Sequence, residues 1–142
     1  MLDTISTINA SAAFNRWAGF EVTHAAEGEA ELQLAWRPED MGQYAGFLHA
    51  GLIGALIDTV CGFAAATVSG RVLASHFAVN CLAPAVGERF VAKGRVVRAG
   101  RKQVFTAAEL FAEARAGDAS TRKLVATGDA ILVPVEEAAP AR

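Results

Sequence analysis

The hydrophobic pattern changes period along the chain. Between residues 4 and 18, Ile5, Ile8, Ala12 and Trp17 recur at three- to five-residue steps, which predicts a short N-terminal helix stopped by Gly19. From residue 29 to 36 the alternation is strict. Glu29, Glu31 and Gln33 fall on one side, and Ala30, Leu32, Leu34 and Trp36 on the other. This is the mark of a half-buried strand, and residues 20–25 read as its hairpin partner across a Glu27-Gly28 turn. Residues 38–46 read as a loop. Residues 50–69 are then apolar nearly all round, which predicts a long buried helix ended by Gly70. Four more strands are expected over 72–82, 89–98, 103–113 and 122–135. Turn signals at Pro84, Gly100 and Ala116-Gly117-Asp118 separate them and suggest an antiparallel meander. Residues 107–116 have a helix-favouring composition, but the lead-in Val104-Phe105-Thr106 and the neighbouring runs make this segment a strand. Residues 136–142 read as a frayed tail.

The order is thus helix, two strands, long helix, four strands. A helix apolar on most sides must be wrapped on most sides. The expectation is an α+β fold in which a curved antiparallel sheet wraps a long central helix, with the short N-terminal helix outside it. The 142 residues suit one domain spanning 1–142.

Composition narrows the function. The chain is 53% hydrophobic with a formal net charge of −2, and its basic residues form no long block. An extended nucleic-acid surface is not expected. The apolar character with few charges points to association between subunits. The central helix could be read as a membrane span, but it carries Asp58 at its middle and is rich in Ala and Gly, so a core helix is expected and no membrane partner. No secretory leader is evident. Cys61 and Cys81 sit in apolar runs without metal-ligand spacing and read as reduced core residues of a cytoplasmic protein.

The candidate chemistry centres on Asp58, the one Asp, Glu, Lys or Arg between residues 41 and 70. Burying a carboxylate there is costly unless something satisfies it. It either does chemistry or is bonded to Thr59, Asn80 or backbone amides. Gly51 lies in the first turn of the helix, where backbone N–H groups lack partners. It either polarises a substrate carbonyl or permits close packing of helix on sheet. Gly51 and Asp58 are seven residues apart on one helix face, about 10 Å along the axis. That is too far for both to act on one carbonyl. Use of both in one site requires a second copy, its helix antiparallel, across a two-fold axis. His49 stands where a helix cap belongs, and Gln43 offers an uncharged donor in the preceding loop. His24 and His76 share no ligand-like spacing, and no metal cluster, phosphate loop or nucleophilic serine motif appears. Arg98, Arg101 and Lys102 gather at the Gly100 turn, as phosphate ligands or as a solvated turn.

Several of these pieces together resemble a known family. Leu48-His49-Ala50-Gly51, then Ile57-Asp58-Thr59, then the Val79–Ala85 run with its Pro84-Ala85 step, then the Gly100-Arg101-Lys102 turn, resemble the hotdog-fold acyl-CoA thioesterases of the phenylacetate-pathway (PaaI-like) type. The likeness covers nearly the whole chain. It implies a hotdog fold, homodimers often paired into homotetramers, a site at the dimer interface, and hydrolysis of an acyl-CoA to a free acid and coenzyme A. No metal or organic cofactor is implied. By that likeness Asp58 is the nucleophile or general base, and the Gly51 N–H of the facing subunit polarises the thioester carbonyl. Gln43 assists at that carbonyl, while His49 lies near the leaving thiolate or orders the loop. Arg101 and Lys102 meet the coenzyme A phosphates, with Ala50 and Asn80 beside the substrate. The acyl group is expected beside the helix near Phe63, Phe77 and Trp36.

Two departures stand out. Ala50 replaces the first glycine of the family's usual His-Gly-Gly. Ala74 stands where some relatives place a Ser or Thr that orients water, with Ser75 one step off. These departures leave open a non-catalytic acyl-CoA-binding or sensing protein on the same fold. A hydratase is disfavoured, since His49 and Asp58 are too far apart in sequence for that chemistry.

Overall fold

The structure is a computed structural model that describes residues 1–136. The tail expected over 136–142 therefore lies, beyond Glu136, outside the described residues. The elements run α1 Leu2–Ser11, α2 Ala13–Ala18, β1 Glu21–Ala26, β2 Glu29–Ala35, α3 Pro38–Met41, α4 Ala50–Ser69, β3 Val72–Cys81, β4 Arg89–Ala99, β5 Val104–Ala116 and β6 Ala119–Pro134.

The six strands form one antiparallel sheet in the order β1-β2-β4-β5-β6-β3. The β1–β2 hairpin turns as expected, with Glu27 (φ 52) and Gly28 (φ 81) both left-handed. The last four strands are not a simple meander. β3 pairs with β6, from Val72↔Pro134 to Cys81↔Ala126, and β4 pairs with β2. A period-2 pattern identifies a strand but carries no information about its neighbour. Here the 20-residue α4 spans the sheet and delivers β3 to the far edge.

α4 packs against the concave side through Leu52, Ile53, Leu56, Ile57, Val60 and Cys61, all buried. Each large aliphatic side chain so buried contributes roughly 1.5–3 kcal/mol. The helix is long and apolar enough to cross a membrane by length and composition, and most of it is buried inside the fold. Two strand glycines set its approach. A Cβ on Gly94 would lie 2.8 Å from the Val60 carbonyl oxygen, and one on Gly128 would lie 2.6 Å from Ile57 Cγ2. No other residue lets the helix lie this close.

The N-terminal helix is broken at Ala12 (φ −89, ψ 121) into α1 and α2. Ile5 is in the core, but Ile8 and Trp17, expected on the same buried face, are exposed. Part of the expected 38–46 loop is the short α3, which starts at Pro38 and is tied by an Arg37–Asp40 ion pair at 3.0 Å. The segment 107–116 is strand throughout, within β5.

Candidate active site

The N-terminal end of α4 is tightly organised. The chain from Met41 to His49 closes on itself through His49 N–H to the Met41 carbonyl (2.9 Å) and Gln43 N–H to the Phe47 carbonyl (2.8 Å). Leu48 N–H donates to the Ala85 carbonyl at 3.1 Å, tying the loop to the segment after β3. Within the loop, the Gln43 side-chain oxygen accepts from the N–H groups of Ala45 and Phe47. That fixes the orientation of the amide and leaves its NH2 as a donor. His49 caps the helix: its Nδ1 accepts from Gly51 N–H at 2.8 Å.

The role of Gly51 differs from the one its sequence position suggests. A Cβ there would lie 3.0 Å from His49 Nδ1 and 3.3 Å from His49 Cε1. The space that glycine leaves is occupied by the imidazole of the cap. Gln43, His49 and Ala50 share the wall of a cavity of about 480 Å³ with Tyr44, Phe47, Ile53, Cys81 and Leu82 among others. Tyr44 and Phe47 were missed from sequence. The available signal was two aromatics in the short loop between Gly42 and His49, where Tyr44 is left fully exposed.

Asp58 lies two turns along α4 and is half-buried. Burial raises its carboxyl above the usual carboxylate range. The bonds considered for it with Thr59 and Asn80 do not form among the described residues. Asn80 pairs with Thr127, while the next pair along, Val79↔Gly128, has Gly128 against Ile57 of the helix. Successive strand residues alternate faces, so Asn80 points away from α4. Within one chain, then, Gln43, His49, Ala50 and Gly51 are together, Asp58 is about 10 Å along the helix, and Asn80 is on the opposite face of the sheet.

Arg101 and Lys102 are exposed in the β4–β5 turn. That turn lies at the other end of the sheet, level with the C-terminus of α4: Val104 pairs with Leu132, Leu132 with Ala74, and Val72 follows the helix directly. Ser75 sits at a β3 bulge, and its hydroxyl donates to the Ile131 carbonyl at 3.3 Å. Of the aromatics expected near an acyl group, Phe63 is buried and Trp36 packs edge-on against Phe90 at 5.9 Å. Phe77 is half-exposed and touches Gly54. The Cys61 thiol is pushed up to about 11, chiefly by burial, so it is no nucleophile. Among the described residues, no three His, Cys, Asp or Glu side chains gather as a metal site.

A family model for the thioesterase superfamily matches residues 45–118, from within the loop through α4 and β3 to the end of β5. The chain belongs to the thioesterase superfamily. Its architecture is the hotdog fold of thioesterase relatives. A crystal structure of a thioesterase family protein from Silicibacter pomeroyi is 30% identical, with a TM-score of 0.84, and covers 91% of this chain and 93% of that one. Zebrafish thioesterase superfamily member 2 has the same fold at 22% identity (TM-score 0.78, 95% and 99% covered). So does a putative esterase from Mycobacterium tuberculosis at 21% identity (TM-score 0.77, 90% and 100% covered). A comparison with curated proteins found no match. Membership of the superfamily points to thioester hydrolysis, and so to a hydrolase.

Proposed function

We infer that this thioesterase-superfamily chain hydrolyses an acyl-CoA thioester to a carboxylic acid and coenzyme A, as the PaaI-like members do. The observation that carries the reading is Asp58: a half-buried carboxylate on an apolar helix, with a raised pKa and burial as the cause. A carboxylate shifted toward neutrality is a better proton acceptor at working pH than an ordinary one. Asp58 takes the proton of an attacking water, or attacks the carbonyl itself. The C–S bond then breaks and the thiolate leaves. The Gly51 end of the helix holds the carbonyl oxygen, with Gln43 beside it.

Since Asp58 and Gly51 of one chain are about 10 Å apart, the site is composite. Asp58 works with the loop and helix start of a second copy. The edge strand β3 supports this partner. Among the described residues it ends the sheet with its outer side unpaired; it carries Leu73 at 62% exposure and Phe77 at 48%, and Leu82, just past its end, is 55% exposed. Such an apolar edge is covered by a second β3 in a homodimer, and dimers of that kind pair into tetramers. The exposed Arg98, Arg101 and Lys102 lie at the far end of Asp58's own helix, about 16 Å from it. Coenzyme A carries its phosphates well away from its sulfur, so that separation suits them. The acid, the thiol and water complete the reaction without a further cofactor, in a cytoplasmic setting.

The test is thiol release over a panel of acyl-CoA esters. Asp58→Ala lowers kcat on the best ester by about 10³-fold or more; retention of most of the rate would remove the catalytic assignment. Co-expressed Asp58→Ala and His49→Asp chains, each inactive alone, regain activity in the mixed dimer, which holds one intact composite site. Absence of recovery in a mixed dimer that has been shown to form would mean that each site lies within one chain. Tight binding of acyl-CoA with no turnover of any ester would favour the sensing alternative.

A further inference from the structure

Arg37 joins the N-terminal helices to the loop of the candidate site. Its backbone is the N-cap of α3, while its side chain turns back to the end of α2. There Nη1–H donates to the Ala18 carbonyl at 2.8 Å and Nη2–H to the Trp17 carbonyl at 2.7 Å. These are the last carbonyls of a helix, which have no partner within it. Nε–H donates to Asp40 of α3 at 3.0 Å, and the guanidinium lies 5.8 Å from the centre of the Trp17 ring. Gly19 fits this arrangement. It ends α2 with φ 82, and a Cβ there would lie 3.3 Å from Arg37 Nη1. The end of α2 is itself a fixed point. Ile5 is in the core, the Asn9 side chain donates to the Phe20 carbonyl at 2.7 Å, and Asn15 donates to Asn9 Oδ1 at 3.0 Å.

We propose that Arg37 is a positioning residue for the loop before α4, and that the N-terminal helices bear on the reaction through it. This rests on the thioesterase reading for its substrate, but not for the coupling itself. α3 is a single turn that leads straight into the loop. The His49 N–H donates to the Met41 carbonyl at 2.9 Å, Gly42 bridges to Leu48, and Gln43 comes next. Any tilt of α3 is therefore passed to the neck of the loop, to the Gln43 amide and to the first residues of α4. Met41 is buried and keeps α3 attached to the core. What Arg37 adds is direction. Its planar fork makes bonds along three fixed lines, one to α3 and two to α2, so the turn cannot rotate about its buried end without breaking them. Arg37 touches no reacting atom. It acts by holding the groups that line the cavity at the distance a bound thioester needs.

Arg37→Ala removes all three bonds. Its kcat for thioester hydrolysis is expected to fall about ten- to a hundred-fold, with KM changed less than about three-fold, as for a small misplacement remote from the chemistry. Guanidinium ion, added below the concentrations that unfold the chain, is expected to refill the gap and restore part of that rate. A variant weakened only in stability would lose further rate instead, because guanidinium favours unfolding. A kcat within about two-fold of wild type, or a lost rate that guanidinium does not raise above a sodium control, overturns the proposal. Arg37→Lys keeps the charge and the stem but has one nitrogen in place of three. It guards against a misfolded alanine variant and is expected to have a kcat between the other two; a Lys variant equal to wild type also overturns the proposal. Amide hydrogen exchange needs no substrate. The Gln43 and His49 amides are expected to exchange at least about ten-fold faster in both variants, while β5 and β6 keep their rates. Unchanged exchange at Gln43 and His49 overturns the coupling. If wild type hydrolyses no acyl thioester, the functional reading fails, while the exchange rates still decide whether Arg37 holds the loop.

Discussion

Two carboxylates in this chain, Asp58 and Glu113, have opposite surroundings. Glu113 is on β5 with its side chain 16% exposed. Arg89 reaches it from β4 at 2.6 Å and Arg122 from β6 at 2.5 Å, in one cross-strand row. Burial pushes its carboxyl up, but the hydrogen bonds and charges of the two guanidiniums outweigh this and hold it below the usual range. Asp58 experiences burial and is raised. The sheet thus treats one acid as structure. The helix leaves the other as an acid whose ionised form has no local support. A group that must gain and lose a proton benefits from the second treatment, and a group that holds strands together from the first. Supplying a partner where none exists, or removing one where two exist, tests whether this contrast matters.

The largest effect is expected from giving Asp58 a cation. Gly62 lies one turn beyond it on α4, and a Cβ there meets nothing within 4 Å. Gly62→Arg places a guanidinium four residues after the acid, the favourable order for a helical ion pair. The carboxylate is then stabilised as the anion and becomes a weaker base. We expect kcat to fall about ten- to a hundred-fold and the acid limb of the pH–rate profile to move to lower pH. The helix itself is stabilised by up to about 1 kcal/mol through loss of glycine. A variant more stable than wild type and fully active would mean that the isolation of Asp58 is incidental.

The reverse experiment is Glu113→Gln, which leaves Arg89 and Arg122 facing each other without the anion between them. The pair is near the surface, so the loss is modest, about 1 kcal/mol in a denaturant midpoint and smaller in high salt. Thioester hydrolysis should be unchanged. Because the folded-state pKa of Glu113 lies below its ordinary value of 4.5, its contribution is present above that pH. It disappears as pH falls through the folded value. Wild type and variant should therefore converge in stability in acid.

The sequence makes one half of this contrast legible. Asp58 stands out because no other Asp, Glu, Lys or Arg occurs between residues 41 and 70; α4 stands out as a long run apolar nearly all round, and β2 by its strict period of 2. The lack of bonds at Asp58 could not be read in the same way. Asn80 looked like a partner until β3 proved to pair with β6, in a register that turns Asn80 away from the helix. That pairing depends on which edge α4 delivers the chain to, a long-range choice with no local signature. Glu113 looked like one charge among many because Arg89 and Arg122 are 24 and 9 residues away in sequence. The same limit applies at the helix start. A glycine after a histidine suggests an open amide, and only the placed imidazole reveals that the opening is filled.

The smallest expected effect is on the stability of Asp58 itself, and it carries the sign that defines the contrast. The folded-state pKa is raised above 3.8, so the ionised form is disfavoured by folding. Above the folded value the native state carries this penalty. As pH falls through that value, the native state takes up a proton that the unfolded chain does not yet hold, and stability rises. Below the unfolded value both are protonated and the gain levels off. Asp58→Asn removes the penalty at neutral pH while filling the same volume. It should be more stable than wild type by about 0.5–1 kcal/mol at pH 7, in the range found when functional sites are relieved, and equal to it at pH 3. Thermal melts at the two pH values measure this. The slope is opposite to that of Glu113→Gln. An Asp58→Asn variant less stable than wild type at pH 7 would mean that the carboxylate has stabilising partners in the assembled protein, and that it belongs with Glu113 rather than against it.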